Sequence, residues 1–297
     1  MWLRVLGAGA GGGFPQWNCG CPGCRAVRDG SRPATPRTQS SVAVSADRRR
    51  WFLLNASPDL RAQIDACPDL HPRAGRDSPI AAVLLTDAEL DHTMGLLLLR
   101  EGPGVELHAT DASVATLRDG TGFLPTLERY TQVTRRRVVP GETVALDERL
   151  TYRAFDVPTV KKARFGGANE EGRVVGYRLS DTASGRAAVY LPGVQEVTAA
   201  VHDELASADV VLVDGTTWTD DEMIRLGLAS KTARDMGHLA VDGPNGSLAV
   251  LEGLPAERRI YVHINNTNPM LLEDSPEHAT VTARGVEIAA DGLEVEV

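Results

Sequence analysis

Long apolar runs and basic blocks are scarce in this 297-residue chain, and each shortage removes a class of function. No apolar segment approaches the roughly 20 residues that span a bilayer. The opening Met1-Trp-Leu-Arg-Val-Leu-Gly7 reads as a strand, without the charged and apolar regions of a signal peptide, so a cytoplasmic protein with no membrane partner is expected. Net charge is −9, and the basic runs are only Arg48–Arg50 and Arg135–Arg137, weak ground for binding nucleic acid. Histidine numbers seven, with none between His108 and His202. Cysteine numbers four, and three of these fall within residues 19–24, a clustering that favours metal binding over disulfides in a cytosolic chain. An apolar fraction of 42% is that of a globular core, and no linker divides the chain, so residues 1–297 are read as one α/β domain.

What is present concentrates in Thr86-Asp-Ala-Glu-Leu-Asp-His-Thr-Met-Gly95. This stretch follows a buried strand read over 79–85 and precedes a buried helix read over 94–99, which places Asp87, Glu89, Asp91 and His92 in a strand-to-helix loop. Three carboxylates and an imidazole this close repel and shift one another unless a cation intervenes. The competing reading is a solvated acidic loop in which Asp91 caps the helix.

The strand at Trp2–Leu6 runs into Gly7-Ala-Gly-Ala-Gly-Gly-Gly13, whose spacing satisfies G-x-G-x-x-G. A dinucleotide site needs a helix at once after those glycines, and Phe14-Pro15 with the following glycines opposes one. The glycines instead suit close backbone approach at the floor of a cleft. Cys19, Cys21 and Cys24 form C-x-C-x-x-C, read as a structural zinc site closed by a distant residue, with inert buried thiols as the alternative. Cys67 reads as core filler. A hairpin is expected from 40–45 and 51–54, and a helix through Ile64 with Ser57 as N-cap and Pro58 at its first position. Further on, a strand 105–109 carrying a packed His108 leads to a helix 111–118. Strands are then expected at 138–139, 150–157, 174–179 and 187–191, followed by a helix 195–205 and a buried strand 208–214 ending on Asp214. His238 precedes a helix over 246–254, the strand 259–263 ends on His263, and short strands near Val286 and Val295 close the chain. Asp214 and His263 sit at strand ends, where α/β proteins place site residues.

Thr86-Asp-Ala-Glu-Leu-Asp-His92 resembles the H-x-H-x-D-H motif of the metallo-β-lactamase superfamily, with Asp87 and Glu89 at the first two histidines and Asp91-His92 intact. The segments Leu6–Cys24, Met236-Gly-His238 and His263-Ile-Asn-Asn-Thr-Asn-Pro269 extend the likeness, essentially end to end, to the coenzyme PQQ synthesis protein B family. The N-terminal and His263 segments are specific to that family, whereas the glycine run and the Asp-His pair are not. The resemblance implies an αββα sandwich, two mixed β-sheets between helical layers, with metals along one edge.

The histidine-rich dizinc set of the hydrolytic members is incomplete here. A mid-chain histidine is missing around Phe155-Asp-Val-Pro158, and the bridging acid is replaced around Tyr190-Leu-Pro-Gly193. What survives is Asp91, His92 and His263, two imidazoles and a carboxylate, the set of non-haem Fe(II) oxygenases. A carboxylate at Glu89 further favours a harder metal than zinc. The resemblance accordingly implies Fe(II) on Asp91, His92 and His263, with O₂ as co-substrate, hydroxylating the tyrosine ring of a crosslinked glutamate–tyrosine precursor of pyrroloquinoline quinone (PQQ). Asp87 and Glu89 are then further ligands or acceptors that orient the imidazoles, His238 an acid/base near the phenol, and Asp214 a supporting acid or ligand. Zinc-bearing relatives close the cysteine site with a histidine three residues after the strand-end histidine; here that position is Asn266, which leaves the fourth zinc ligand open. Lys161, Lys162 and Arg164 either pair substrate carboxylates or form an exposed basic loop. Other proteins of the PQQ pathway are candidate partners. The alternatives are a non-catalytic carrier of PQQ or its precursor, and a metal-dependent hydrolase.

Overall fold

A computed structural model describes residues 1–165 and 171–297. Six strands build most of a first sheet: β1 (Trp2–Gly7), β2 (Ser41–Ser45), β3 (Trp51–Leu54), β4 (Ile80–Leu84), β5 (Val105–Ala109) and β6 (Val133–Arg137). Seven form the second: β7 (Thr143–Ala145), β8 (Leu150–Asp156), β9 (Val175–Asp181), β10 (Ala187–Leu191), β11 (Val210–Asp214), β12 (Arg258–Val262) and β13 (Glu287–Ile288). The last strand, β14 (Glu294–Glu296), returns to pair antiparallel with β1 and completes the first sheet. Both sheets are mixed, since β3 to β6 run parallel, as do β10 to β13, while the remaining neighbours are antiparallel.

Alternation along the strands sets the layers. Phe52 and Leu54 of β3 meet Tyr177, Tyr190 and Leu212 in the core between the sheets, while Trp51 and Leu53 face outward onto Leu60, Leu96, Leu117 and Leu124. On the far side, Val189, Val211, Val213 and Tyr261 pack under Val201, Leu205, Leu248 and Leu251. Three apolar layers between four structural layers is the αββα sandwich. No helix among the described residues is long and apolar enough to cross a membrane.

Several local expectations are corrected. The α-helix starts at Leu60 and not at Pro58: Ser57 Oγ accepts the Asp59 N–H at 3.3 Å, but Pro58 and Asp59 form a turn, with the Asp59 carboxylate accepting from Gln39. The segment expected as a buried helix at 94–99 is a 3₁₀ stretch, Met94–Glu101, with Met94 and Leu98 exposed. The helix expected from Gln195 begins at Ala199, where the Thr198 hydroxyl accepts the Val201 N–H. Past Ala115 the helix from Asp111 widens into a π-turn over Thr116–Gly120. The edge strand expected at 138–139 is Val133–Arg137. A helix at Pro22–Asp29 lies where none was expected, started by Pro22 and ended by Gly30 in the left-handed region. The glycine run itself continues as irregular chain and joins the sheets: Ala10 N–H donates to the Ile264 carbonyl at 2.8 Å and Ile264 N–H to the Ala8 carbonyl at 2.9 Å.

Candidate metal centre

The ends of β4, β11 and β12 converge on one edge of the sandwich. Leaving β4, Thr86 is fixed by Asn55, whose amide nitrogen reaches the Thr86 hydroxyl at 2.9 Å and whose oxygen takes the Thr86 N–H at 3.0 Å. Asn55 itself holds a left-handed φ of 66°. Next, Asp87 accepts the Glu89 N–H at 2.9 Å, which bends the chain into the short helix Leu90–Thr93. Glu89 occupies the cap position and Asp91 falls in the first turn, so Asp91 does not cap this helix. Its carboxylate points instead across the edge to His263 Nε2, 3.3 Å away. Gly11 closes the floor, since a Cβ there would stand 3.2 Å from Asp91 Oδ2.

Three imidazoles meet at this edge, with the His263 ring centroid 5.2 Å from that of His92 and 5.2 Å from that of His238. A carboxylate only accepts, so the short contacts fix which nitrogen carries hydrogen. His92 Nδ1 donates to both oxygens of Asp87, at 2.9 and 2.8 Å, and His238 Nδ1 donates to Asp214 Oδ2 at 2.6 Å. His92 Nε2 is buried with no hydrogen-bond partner among the described residues, 3.9 Å from Asp91 Oδ2. Ligand atoms of Asp91, His92 and His263 lie within 4.8 Å of one another, as do those of Asp214, His238 and His263. The two groups differ in what remains free. In the second, the Nδ1 atoms are already engaged by Asp214 and Thr216; in the first, an orphaned imidazole nitrogen and a carboxylate face the same point. The first group therefore fits a metal ion, and the second a hydrogen-bonded support for it.

Electrostatics agree. Burial disfavours charge on Asp87, yet His92 beside it prevails and holds its carboxyl at about 2; Asp91 lies well below the usual range against the same burial penalty, for the sake of His92 and His263. Burial also opposes charge on His92, but Asp87 and Asp91 raise it to about 9. The metal-free centre thus holds an extra proton on His92, one that a cation would displace. Asp214, though fully buried, is kept below its ordinary value by His238 and His263.

Glu89 lies outside both groups. Its carboxylate is gripped by Lys161 Nζ at 2.8 Å and Arg164 Nε at 3.0 Å, which ties the basic loop to the motif. That loop is held from its other side by Gln195, whose Oε1 accepts Val160 N–H at 2.7 Å and the Thr159 hydroxyl at 2.9 Å. Val194 N–H donates to Asp214 Oδ2 at 3.1 Å, so the turn after β10 supplies a main-chain donor to the support. Thr216, Asn55, Thr86 and Gln195 escaped sequence reasoning; of these Thr216 alone carried a signal, as a hydroxyl two residues beyond a strand-end acid.

At the rim, Cys19, Cys21 and Cys24 form a buried cluster whose sulfurs lie within 4.8 Å of one another. Each sulfur accepts a main-chain N–H at 3.4 Å, from Cys21, Cys24 and Gln16 in turn. The Asn266 side-chain amide covers the remaining side, with nitrogen-to-sulfur distances of 3.1, 3.6 and 3.3 Å to Cys19, Cys21 and Cys24. Burial pushes the Cys21 thiol up to about 12, a cost that a divalent cation among the sulfurs would reverse. Three thiols with N–H groups aimed at their sulfurs fit zinc, with the Asn266 side-chain amide standing at the fourth side. Cys67 lies apart, buried beneath the first sheet.

Comparison with known proteins agrees with this architecture. Residues 50–264 match the model of the beta-lactamase superfamily domain. Coenzyme PQQ synthesis protein B of Cupriavidus necator is 47% identical over 99% of this chain and 98% of that protein, and its counterpart from Pseudomonas aeruginosa is 45% identical over the whole of both. The crystal structure of Zn(2+)-bound PqqB from Methylobacterium extorquens superposes with a TM-score of 0.92 at 43% identity, covering both chains fully. A diphosphatase from the PhnP family shares the fold alone, with a TM-score of 0.70 at 23% identity. By full-length similarity and by a metal-binding edge of this construction, the chain belongs to the coenzyme PQQ synthesis protein B family of the metallo-β-lactamase fold.

Proposed function

We propose that this protein acts in PQQ synthesis as an Fe(II)- and O₂-dependent hydroxylase of the tyrosine ring in a crosslinked glutamate–tyrosine precursor. The observation that carries the reading is the Asp91–His92–His263 group: one carboxylate oxygen and two imidazoles turned to a common point, with an orphaned Nε2 among them. Such a set, leaving other positions of the metal open, suits iron chemistry with dioxygen. Bound there, Fe(II) would activate O₂ for ring hydroxylation, one oxygen atom entering the ring and the other leaving as water, with an external reductant supplying the two electrons.

The chain's own residues have separable tasks. Asp87 holds His92 by Nδ1 and so directs Nε2 to the metal position. His238, held on Asp214 and stacked against His263, presents Nε2 as the base that takes the phenolic proton and makes the ring more electron-rich. Asp214 keeps that ring in the Nδ1–H form and stabilises the imidazolium that results. Lys161 and Arg164, paired with Glu89 at the cap of Asp91's helix, are cations available to a substrate rich in carboxylates.

The test is turnover. Anaerobically purified protein loaded with Fe(II), then given a reductant, O₂ and a tyrosine-derived amino diacid, is expected to consume O₂ and add oxygen to the ring; His92→Ala and His263→Ala abolish both. Absence of turnover together with tight PQQ binding that survives these substitutions would establish the carrier reading instead.

A further inference from the structure

Thr216, in the turn that follows β11, touches every member of the support. Its hydroxyl oxygen lies 2.5 Å from Asp214 Oδ1, 2.9 Å from His263 Nδ1, 3.1 Å from His238 Nδ1 and 3.1 Å from the His263 carbonyl oxygen. A hydroxyl carries one hydrogen. Both of its oxygen neighbours can only accept, so that hydrogen goes to Asp214 Oδ1, the closer and the charged one, or to the His263 carbonyl. In either arrangement the lone pairs of Thr216 remain to accept, and His263 Nδ1 must donate to them. Asp91 Oδ2 also calls for a hydrogen on His263, at Nε2, but across 3.3 Å against 2.9 Å to Thr216; in the neutral ring the shorter contact keeps the hydrogen on Nδ1 and leaves the Nε2 lone pair for an ion.

Among the described residues, no other side chain bonds His263 Nδ1. Asp214 Oδ1, the next acceptor, is 3.8 Å away, beyond hydrogen-bond reach, so Asp214 acts on His263 only through the threonine hydroxyl. His238 differs, because Asp214 Oδ2 holds it directly at 2.6 Å. His263 also sits at a left-handed φ of 53°, a conformation that costs free energy and so needs a partner to hold it.

We propose that Thr216 is a positioning residue of the metal centre: it relays the Asp214 charge to His263 and sets the tautomer in which His263 binds the ion. The proposal rests on Asp91, His92 and His263 being metal ligands, and is independent of the hydroxylation assigned to them.

The experiment reads ¹⁵N shifts of the imidazoles in metal-free protein, at a pH where His238 and His263 are neutral, and the Fe(II) dissociation constant by anaerobic chelator competition. Wild type is expected to show both rings as Nδ1–H. Thr216→Val should leave His238 in that form, release His263 into a mixture of tautomers and weaken Fe(II) binding about 10- to 100-fold. Thr216→Ser, which keeps the hydroxyl, should restore both. A wild-type His263 carrying its hydrogen on Nε2 overturns the proposal without any variant, so a misfolded valine protein does not shelter it. So does a folded Thr216→Val protein with wild-type tautomers and affinity. His263→Ala is the control for the underlying reading: unchanged Fe(II) affinity there would remove the metal centre itself.

Discussion

The two candidate metal sites contrast in how the chain makes them. The cysteine site is local: three sulfurs within six residues, three main-chain donors from the same loop, and one distant amide from Asn266. The Asp91 centre is assembled from the ends of β4 and β12, with His263 172 residues from Asp91, and one of its imidazole nitrogens is left unsatisfied. A closed set of soft donors makes a site that holds chain segments together, whereas an open set of mixed donors makes one that performs chemistry. The sharpest test of that difference is Cys24→Ser. It should release the zinc and lower stability by ~4 kcal/mol or more, since loss of a structural metal is among the severest single-residue changes. Zinc content and a thermal melt measure it; retention of the wild-type melting temperature after zinc loss would erase the contrast.

The segment from His263 to Asn268 serves both sites, and Glu222 braces it. Its Oε2 accepts Trp218 N–H at 2.6 Å and its Oε1 takes the Thr267 hydroxyl at 2.5 Å. Burial raises this carboxyl from the ordinary 4.5 to about 7. Between those two values the folded protein keeps a proton that the unfolded chain has given up, so the contribution of Glu222 to stability is greatest below pH 4.5, falls as pH rises toward 7 and then levels. A shift of this size corresponds to roughly 3 kcal/mol. Glu222→Gln should flatten that slope in denaturant titrations run across the window, and a variant as pH-dependent as wild type would assign the slope elsewhere.

Much of this contrast was legible in the sequence, for physical reasons that differ by site. The cysteines were readable because thiol spacing in a short loop is nearly a statement of geometry. Asp91, His92 and His263 were grouped by the resemblance to the family's motifs, whereas the residues alone placed Asp91 and His92 in a loop after one apolar strand and His263 at the end of another. Thr216 was not, because a hydroxyl beside an acid is common, and its meaning comes only from the three partners the fold brings to it. The αββα sandwich came from the resemblance, while helix starts such as Leu60 were misplaced, with Asp59 turned across the fold to Gln39.

At the open centre the expected effect falls on the ion and spares the fold. Asp91→Asn keeps the shape and removes the charge, and should weaken Fe(II) binding about 100-fold, the upper end for changes around metal ligands. Zinc in the cysteine loop should stay, and the melting temperature should fall less than in Cys24→Ser. Loss of both metals together would mean the sites are one cooperative unit, joined through the 263–268 segment.

The smallest effect is expected at Glu89, and it separates a ligand from a neighbour of ligands. Its carboxylate is about 29% exposed and paired to Lys161 and Arg164, a partly solvated arrangement whose contribution to stability is below about 1 kcal/mol. Glu89→Gln should therefore leave both the melting temperature and Fe(II) affinity near wild type. It should also free two cations beside the centre, so an acidic substrate is expected to bind at least as well, with KM unchanged or lower. Had Glu89 swung onto the ion, the same substitution would cost affinity on the scale of Asp91→Asn, and the basic loop would be released by the metal itself. Fe(II) titrations of Glu89→Gln and Asp91→Asn under the same conditions decide between the two, because the first geometry predicts a difference of about two orders of magnitude between them and the second predicts none.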